Sequence, residues 1–97
     1  MDEKAQDILN NSETLALLKF LYSAIEDSND DAFEDGQAVM TLCKAFAKEH
    51  ADGKLGKIGM PLRAALTGRT ASPSIFNVAA ILGKDEVLIR LNMVLSP

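Results

Sequence analysis

The sequence lacks several residue types and patterns that are common in enzymes and membrane proteins. It contains no tryptophan, one tyrosine and four phenylalanines, so its core must be built mainly from aliphatic side chains. No apolar run approaches the roughly 18 residues that a membrane span needs. The acidic, polar start of the chain is unlike a secretory signal. These absences predict a cytoplasmic protein without a membrane partner.

A single cysteine and a single histidine limit what the chain can catalyse or bind. Cys43 alone excludes an internal disulfide and suits a reducing compartment. It lies on the apolar stripe of a predicted helix, so we expect a buried small hydrophobe and not a nucleophile. His50 cannot form a multi-histidine metal site, and its place near a helix C-terminus favours a surface residue that complements the helix dipole. No phosphate-binding glycine loop occurs, and we therefore predict no catalytic residue, metal or cofactor in this segment.

The net charge of −4 conceals two halves of opposite sign. Residues 1–52 carry 12 Asp or Glu against 4 Lys or Arg, whereas residues 53–97 carry 2 against 6, so the halves have charges of −8 and +4. The acidic pairs Asp30-Asp31 and Glu34-Asp35 lack the spacing of a calcium loop and are typical of a solvated surface. The basic half can present a cationic face to a polyanion, although chance and solubility explain the charge equally well.

Apolar residues recur at helical spacing along nearly the whole chain, and no segment alternates like a half-buried strand. The length suits one domain over residues 1–97. The sequence therefore predicts an all-α bundle of about five helices, with an acidic half (1–52) and a basic half (53–97).

Capping residues predict where the helices of the acidic half begin and end. The first is expected at 13–26, with Ser12 as its N-cap. A polar connection follows, with a cap candidate for the next helix at Ser28 or Asn29. That helix is expected to stop at a left-handed Gly53.

Three shorter helices are expected in the basic half. The first begins around residues 59–60, because Pro61 is tolerated only near a helix start, and it ends at Gly68. The second has Ser72 as its N-cap and Pro73 at the first helical position. The third runs close to the end of the chain.

Four motifs follow one another between Leu55 and Leu91: Leu-Gly-Lys, Pro-Leu-Arg-x-Ala-Leu-Thr-Gly, Ser-Pro, and Leu-Gly-Lys-Asp-Glu-x-Leu-x-Arg-Leu. In this order and spacing they strongly resemble the C-terminal anticodon-binding region of bacterial glutamyl-tRNA synthetases. The stretch from Ser12 to His50 resembles the helices that precede this region in the family. The resemblance implies the all-α fold of that domain and a place in protein synthesis.

The resemblance also implies what the chain would work with. The parent enzyme uses ATP and magnesium to attach glutamate to tRNA, but the family's His-x-Gly-His and Lys-Met-Ser-Lys-Ser signatures do not occur here. The chain is thus expected to be either an excised terminal domain or a free-standing paralogue. Its expected partners are the anticodon loop of the glutamate tRNA and the remainder of the synthetase chain, and it is expected to be a monomer.

Site residues are carried over from the family's motifs. The resemblance implies that Arg63 contacts the anticodon, because a guanidinium can hydrogen-bond a base edge or stack on a base. It also implies that the start of the following helix reads the bases through hydroxyls and backbone N–H groups, with Ile75 as an apolar platform. The residues of this second group are Ser72, Pro73, Ser74 and Ile75.

Further basic and polar residues are expected to hold the RNA backbone through charge and counterion release. These are Arg69, Thr70, Lys54, Lys57, Lys84 and Arg90. Each site residue also has an ordinary structural interpretation: Arg63 as a helix-surface arginine, Ser72 and Pro73 as cap and helix start, and Ile75 as a packed side chain.

Two alternatives remain open at this level. One is a stand-alone helical module that binds another protein through the acidic face. The other is a domain that binds no RNA detectably by itself, because helices outside the chain complete the site.

Overall fold

The computed structural model describes residues 3–70 and 74–96, which contain six α-helices and no strand. The all-α class is confirmed, with six helices instead of about five. The helices are α1 (Glu3–Leu9), α2 (Ser12–Glu26), α3 (Gly36–His50), α4 (Gly56–Thr67), α5 (Ile75–Leu82) and α6 (Lys84–Leu95). A 3₁₀ helix, Asp30–Phe33, joins α2 to α3.

Three helix pairs make the most extensive contacts: α3 with α5, α1 with α4, and α2 with α6. Their apolar faces form one core, in which Leu18, Leu21, Ile58, Leu62 and Leu91 are among the most buried large side chains. These residues come from α2, α4 and α6, so the acidic and basic halves share a core. Within the described ranges no polar or charged residue is buried, which leaves the charged groups at the surface.

The additional helix is α1. It has seven residues, of which only Ala5 and Leu9 are buried. Two buried positions one turn apart in a polar segment give a weak periodic signal, and so short a helix is marginal without tertiary contacts. Its packing against α4 provides those contacts.

The start of α2 lies one residue earlier than predicted. The side-chain oxygen of Asn11 accepts hydrogen bonds from the N–H groups of Glu13 (2.9 Å) and Thr14 (3.2 Å). Asn11, and not Ser12, is therefore the N-cap, and Ser12 is the first helical residue. Both residue types cap well, so their sequence alone does not decide between adjacent candidates.

The cap of α3 was also placed wrongly. Asp35 fills this role, because its Oδ1 accepts a 2.8 Å hydrogen bond from the N–H of Ala38. Ser28 instead donates its hydroxyl to the carbonyl of Ile25 at 2.6 Å and so helps to end α2. The left-handed conformation predicted for Gly53 is confirmed (φ 77°), and Asp52 shares it (φ 54°).

Helix α4 begins at Gly56 and carries Pro61 in its interior, so the predicted start around residues 59–60 was wrong. Its first turn forms through short-range bonds, such as that from the N–H of Ile58 to the carbonyl of Leu55 (3.0 Å). Proline removes one hydrogen bond, which the Lys57 carbonyl would have accepted. Burial of Ile58 offsets this loss. The helix ends as predicted at Gly68, whose φ of 71° favours glycine.

Helix α5 begins at Ile75, with Ser74 at the N-cap position. This start is later than predicted. The residues proposed as cap and first helical residue, Ser72 and Pro73, lie outside the described part of the chain.

Candidate nucleic-acid interface

A groove of about 300 Å³ runs between α4 and the start of α5. It brings Arg63 and Ile75, which the sequence analysis selected from separate motifs, to one place. None of the residues that line it is acidic. The lining consists of Leu55, Gly56, Gly59, Met60, Arg63, Ile75 and Phe76.

The side chain of Arg63 is half-buried along the groove. Its Nη1 lies 3.6 Å from the sulfur of Met60, one helical turn earlier. This contact runs along α4, and Arg63 is one of the residues that line the groove. A guanidinium has both a planar stacking surface and several N–H groups.

Thr67 shapes the turn that leaves α4. Its hydroxyl donates to the carbonyl of Arg63 at 2.7 Å and accepts from the N–H of Arg69 at 3.1 Å. Together with the left-handed Gly68, these bonds define the backbone at Arg69, whose side chain is exposed. Thr70 is half-buried and lines a separate recess that shares Met60 with the groove.

The start of α5 differs from its predicted role in one respect. Ile75 is only 1% exposed, so its side chain belongs to the core and cannot serve as a platform for a base. The half-buried ring of Phe76 lines the same groove. Ser74 is exposed, and its side chain forms no capping bond with the described residues. Phe76 was missed, although an aromatic residue directly after a predicted helix start is a detectable signal.

Two lysines accompany the start of α4. Lys54 and Lys57 are both exposed. They flank Leu55 and Gly56, which line the groove, and Lys57 also lines a second recess beside His50 and Met60. Their positions place positive charge at one end of the groove.

The other two predicted backbone contacts, Lys84 and Arg90, have structural partners. The ammonium of Lys84 donates to the carbonyls of Glu26 and Ser28 and so ties the start of α6 to the end of α2. The guanidinium of Arg90 donates to the carbonyl of Leu66 (2.8 Å) and pairs with Glu86 (3.0 Å). These bonds explain both residues without RNA, so a structural role is favoured over the phosphate contact that the sequence predicted for them.

Cys43 and His50 both pack against apolar side chains of the domain. Cys43 is 1% exposed, and its burial raises the pKa of the thiol from 9.0 to about 12, so the thiolate nucleophile is not present near neutral pH. His50 is the last residue of α3, and its ring stacks on Phe20 (centroids 5.2 Å apart) and lies 4.6 Å from the Phe46 ring. Sequence analysis placed this histidine correctly at a helix end but missed its aromatic partners.

The described ranges 3–70 and 74–96 contain no group of three or more His, Cys, Asp or Glu side chains arranged to hold a metal ion. None of their helices has both the length and the apolar character required to cross a bilayer.

The chain matches known proteins over nearly its whole length. A family model described as "Anticodon binding domain" matches residues 1–95. The chain is 48% identical over 90 residues to glutamate–tRNA ligase 2 of Parvibaculum lavamentivorans, which covers 93% of this chain and 17% of that protein. It is 48% identical over 91 residues to glutamate–tRNA ligase of Rhodopseudomonas palustris, covering 94% and 18% respectively.

A similar match, 44% identity over 92 residues, occurs with glutamate–tRNA ligase 1 of Brucella melitensis, where 94% of this chain and 18% of that protein are covered. The chain thus spans less than a fifth of the length of these relatives. These matches favour the resemblance seen in the sequence over a stand-alone protein–protein module.

Proposed function

The chain belongs to the anticodon-binding domain family, and from this premise we propose that it recognises the anticodon loop of a glutamate tRNA as one domain of a glutamate–tRNA ligase. The parent enzyme would use ATP to activate glutamate and then attach it to the tRNA. This segment would select and position the tRNA and take no part in the chemistry.

The observation that carries the proposal is the groove between α4 and α5. It combines the guanidinium of Arg63, the aromatic ring of Phe76 and the N-terminal end of α5, with no carboxylate in its lining. Single-stranded RNA loops are recognised through such groups, because their unstacked bases can stack on aromatic or guanidinium planes and hydrogen-bond through their edges.

The charge around the groove supports the same proposal. Lys54, Lys57 and Arg69 are exposed, and none of them has a described ion-pair partner. They would neutralise phosphates of the anticodon stem and loop, which supplies affinity with little sequence selectivity. Arg63 and the α5 end would supply the selectivity.

The rest of the enzyme would lie outside this segment. ATP and magnesium would bind to the remainder of the synthetase, because the described residues form neither a phosphate-binding loop nor a cluster of metal ligands. We place the protein in the cytoplasm, where its relatives' reaction requires tRNA, and expect it to act as a monomer.

The proposal is tested by titrating the ¹⁵N-labelled 97-residue chain with an RNA stem–loop that carries a glutamate-tRNA anticodon. We expect amide shifts at Gly59, Met60, Arg63 and Phe76, and weaker binding as salt increases. Arg63→Ala should weaken binding about tenfold, since loss of a good base contact is worth roughly 1–3 kcal/mol. No shifts with the RNA at millimolar concentration, or shifts confined to α2 and α3, would overturn the proposal.

A further inference from the structure

The hydroxyl of Thr67 joins the backbones of two arginines. It donates to the carbonyl of Arg63 at 2.7 Å, and it accepts from the N–H of Arg69 at 3.1 Å. Arg63 lies one turn earlier in α4 and lines the groove, whereas Arg69 is exposed in the segment that follows the helix. One half-buried side chain therefore connects a groove residue to a cation beyond the end of α4.

The bond from Arg69 is the part of this arrangement that the helix itself does not supply. Gly68 ends α4 in the left-handed conformation, and its N–H bonds to the backbone carbonyl of Ala64 at 2.9 Å. The N–H of Arg69 has no backbone acceptor among the described residues and bonds to the Thr67 side chain instead. Because glycine is conformationally permissive, the direction in which the chain leaves Gly68 depends on this bond.

Thr41 on α3 provides the contrast. Its hydroxyl donates to the carbonyl of Gln37, four residues earlier, at 2.9 Å, as that of Thr67 does to Arg63. Within the described residues, Thr41 accepts no hydrogen bond from a residue beyond its helix. A bond from threonine to the preceding turn is common and does not strengthen a helix. The bond from Arg69 is thus what distinguishes Thr67.

We propose that Thr67 is a positioning residue for RNA binding: its hydroxyl fixes the backbone at Arg69 and so places the Arg69 guanidinium against a phosphate of the bound RNA. Thr67 itself does not touch the RNA. This inference rests on the function proposed above and adds to it a residue that acts through another.

A phosphate is the group that this arrangement suits. Arg69 is exposed and forms no ion pair with a described carboxylate. A guanidinium holds a phosphate best through two parallel N–H bonds, which require a defined orientation. Fixing the backbone of Arg69 before the RNA arrives reduces the conformational entropy that binding must remove.

The test measures the affinity of the 97-residue chain for the anticodon stem–loop and the salt dependence of that affinity. Thr67→Val removes the hydroxyl and nearly keeps the shape of the side chain. We expect it to weaken binding about three- to tenfold and to lower the salt slope by about one unit, as Arg69→Ala should. Thr67→Ser keeps the hydroxyl and should bind as tightly as the wild type.

A double-mutant cycle separates positioning from a general effect on the fold. In the Arg69→Ala background, Thr67→Val should cause no further loss of affinity, because the group that it positions has been removed. Hydrogen exchange at the Arg69 amide reports the bond directly and should be faster in Thr67→Val than in the wild type or Thr67→Ser. Thr67→Ala gives the same comparison without a β-branched side chain, should Thr67→Val fold poorly.

Thr41→Val is the matched control. It removes a hydroxyl with the same bond to the preceding turn, but it lies on α3, which does not line the groove. It should leave RNA affinity and the salt slope unchanged.

The outcomes separate this inference from the function on which it rests. If the wild-type chain binds the stem–loop and Thr67→Val or Arg69→Ala binds it equally well, the positioning role is refuted and the proposed function stands. Additive losses in the double variant would also refute it, because Thr67 would then act independently of Arg69. If the wild-type chain does not bind the stem–loop, both fail.

Discussion

The guanidinium of Arg90 on α6 donates a 2.8 Å hydrogen bond to the carbonyl of Leu66, near the C-terminal end of α4. The last carbonyls of a helix have no hydrogen-bond partner within the helix. This bond provides a partner for one of them and joins α4 to α6. The same side chain pairs with Glu86 one turn earlier on α6. Arg90 thus supports the helix that carries Arg63.

Arg90→Ala is expected to lower the free energy of unfolding by about 1–2 kcal/mol, because a charge-assisted hydrogen bond to a half-buried carbonyl is lost. Urea denaturation measures this change. Glu86→Gln is the matched control, since it removes the ion pair and keeps the bond to Leu66. We expect it to cost less than about 0.5 kcal/mol, as partly exposed i,i+4 pairs contribute little. Equal losses in the two variants would contradict the role assigned to the Leu66 contact.

Substitutions of Lys84 and Lys57 should affect different properties, the first the stability of the fold and the second RNA binding. Lys84→Met removes bonds to the carbonyls of Glu26 and Ser28, so we expect a loss of about 1 kcal/mol in unfolding free energy and little change in RNA affinity. Lys57→Met should leave stability unchanged, because Lys57 is exposed, and should reduce the salt dependence of RNA binding by about one unit of slope. Denaturation and salt titrations of both variants check this. The reverse pattern would show that Lys84 is the phosphate contact.

Gly36→Ala should destabilise the fold although alanine is the better helix former. The new Cβ would collide with the Asn77 side chain, which must rotate away, and it would lie 3.2 Å from the Asn77 Cα, so the backbone of α5 must also shift slightly. Overpacking of this kind costs about 1–3 kcal/mol. Asn77→Ala in the same chain removes the side-chain part of the collision and should recover some of the loss, a coupling that a double-mutant cycle measures. A Gly36→Ala variant as stable as the wild type would show that the two helices tolerate this shift.

The thiol of Cys43 should be inert in the folded chain, because burial raises its pKa from 9.0 to about 12. We expect no reaction with a disulfide reagent at pH 8 until the protein is unfolded. Between pH 9 and 12 the folded state keeps a proton that the unfolded chain releases, so the unfolding free energy should fall as pH rises, by up to about 1.4 kcal/mol per pH unit from this group. Below pH 9 the group should have no effect.

Cys43→Ala is the control for this pH dependence. Its stability is lower throughout because a buried side chain is shortened, so the comparison concerns the slope and not the absolute value. The variant should lose less stability than the wild type between pH 9 and 12. Identical slopes in the two proteins would contradict the buried, protonated thiol.

The family's motifs predicted one residue that lines the candidate site, and local sequence predicted several features of the fold. Arg63 was selected from a motif, and the structure places it on the wall of the groove. The left-handed turns at Gly53 and Gly68 were predicted correctly, because a positive φ is a local requirement that glycine meets with the least steric strain. The start of α4 was not predicted correctly. Pro61 favours a helix that begins close to it, but α4 begins at Gly56, and this earlier start buries Ile58.

Other residues acquired their roles only through long-range contacts. The sequence predicted that Arg90 and Lys84 hold the RNA backbone, but both side chains bond to carbonyls on other helices, those of Leu66 and Glu26. Phe76 and Ile75 are adjacent in sequence, and only packing against the core decides that Ile75 is buried and Phe76 lines the groove.

The sequence by itself determined the helical class, the opposite charges of the two halves and the left-handed turns, because these depend on spacing, composition and single-residue conformation. Only the tertiary structure decided which cations are bonded to other helices, and that Gly36 is packed against Asn77. These properties depend on which helices meet, and that is set by the burial of apolar surface over the whole chain.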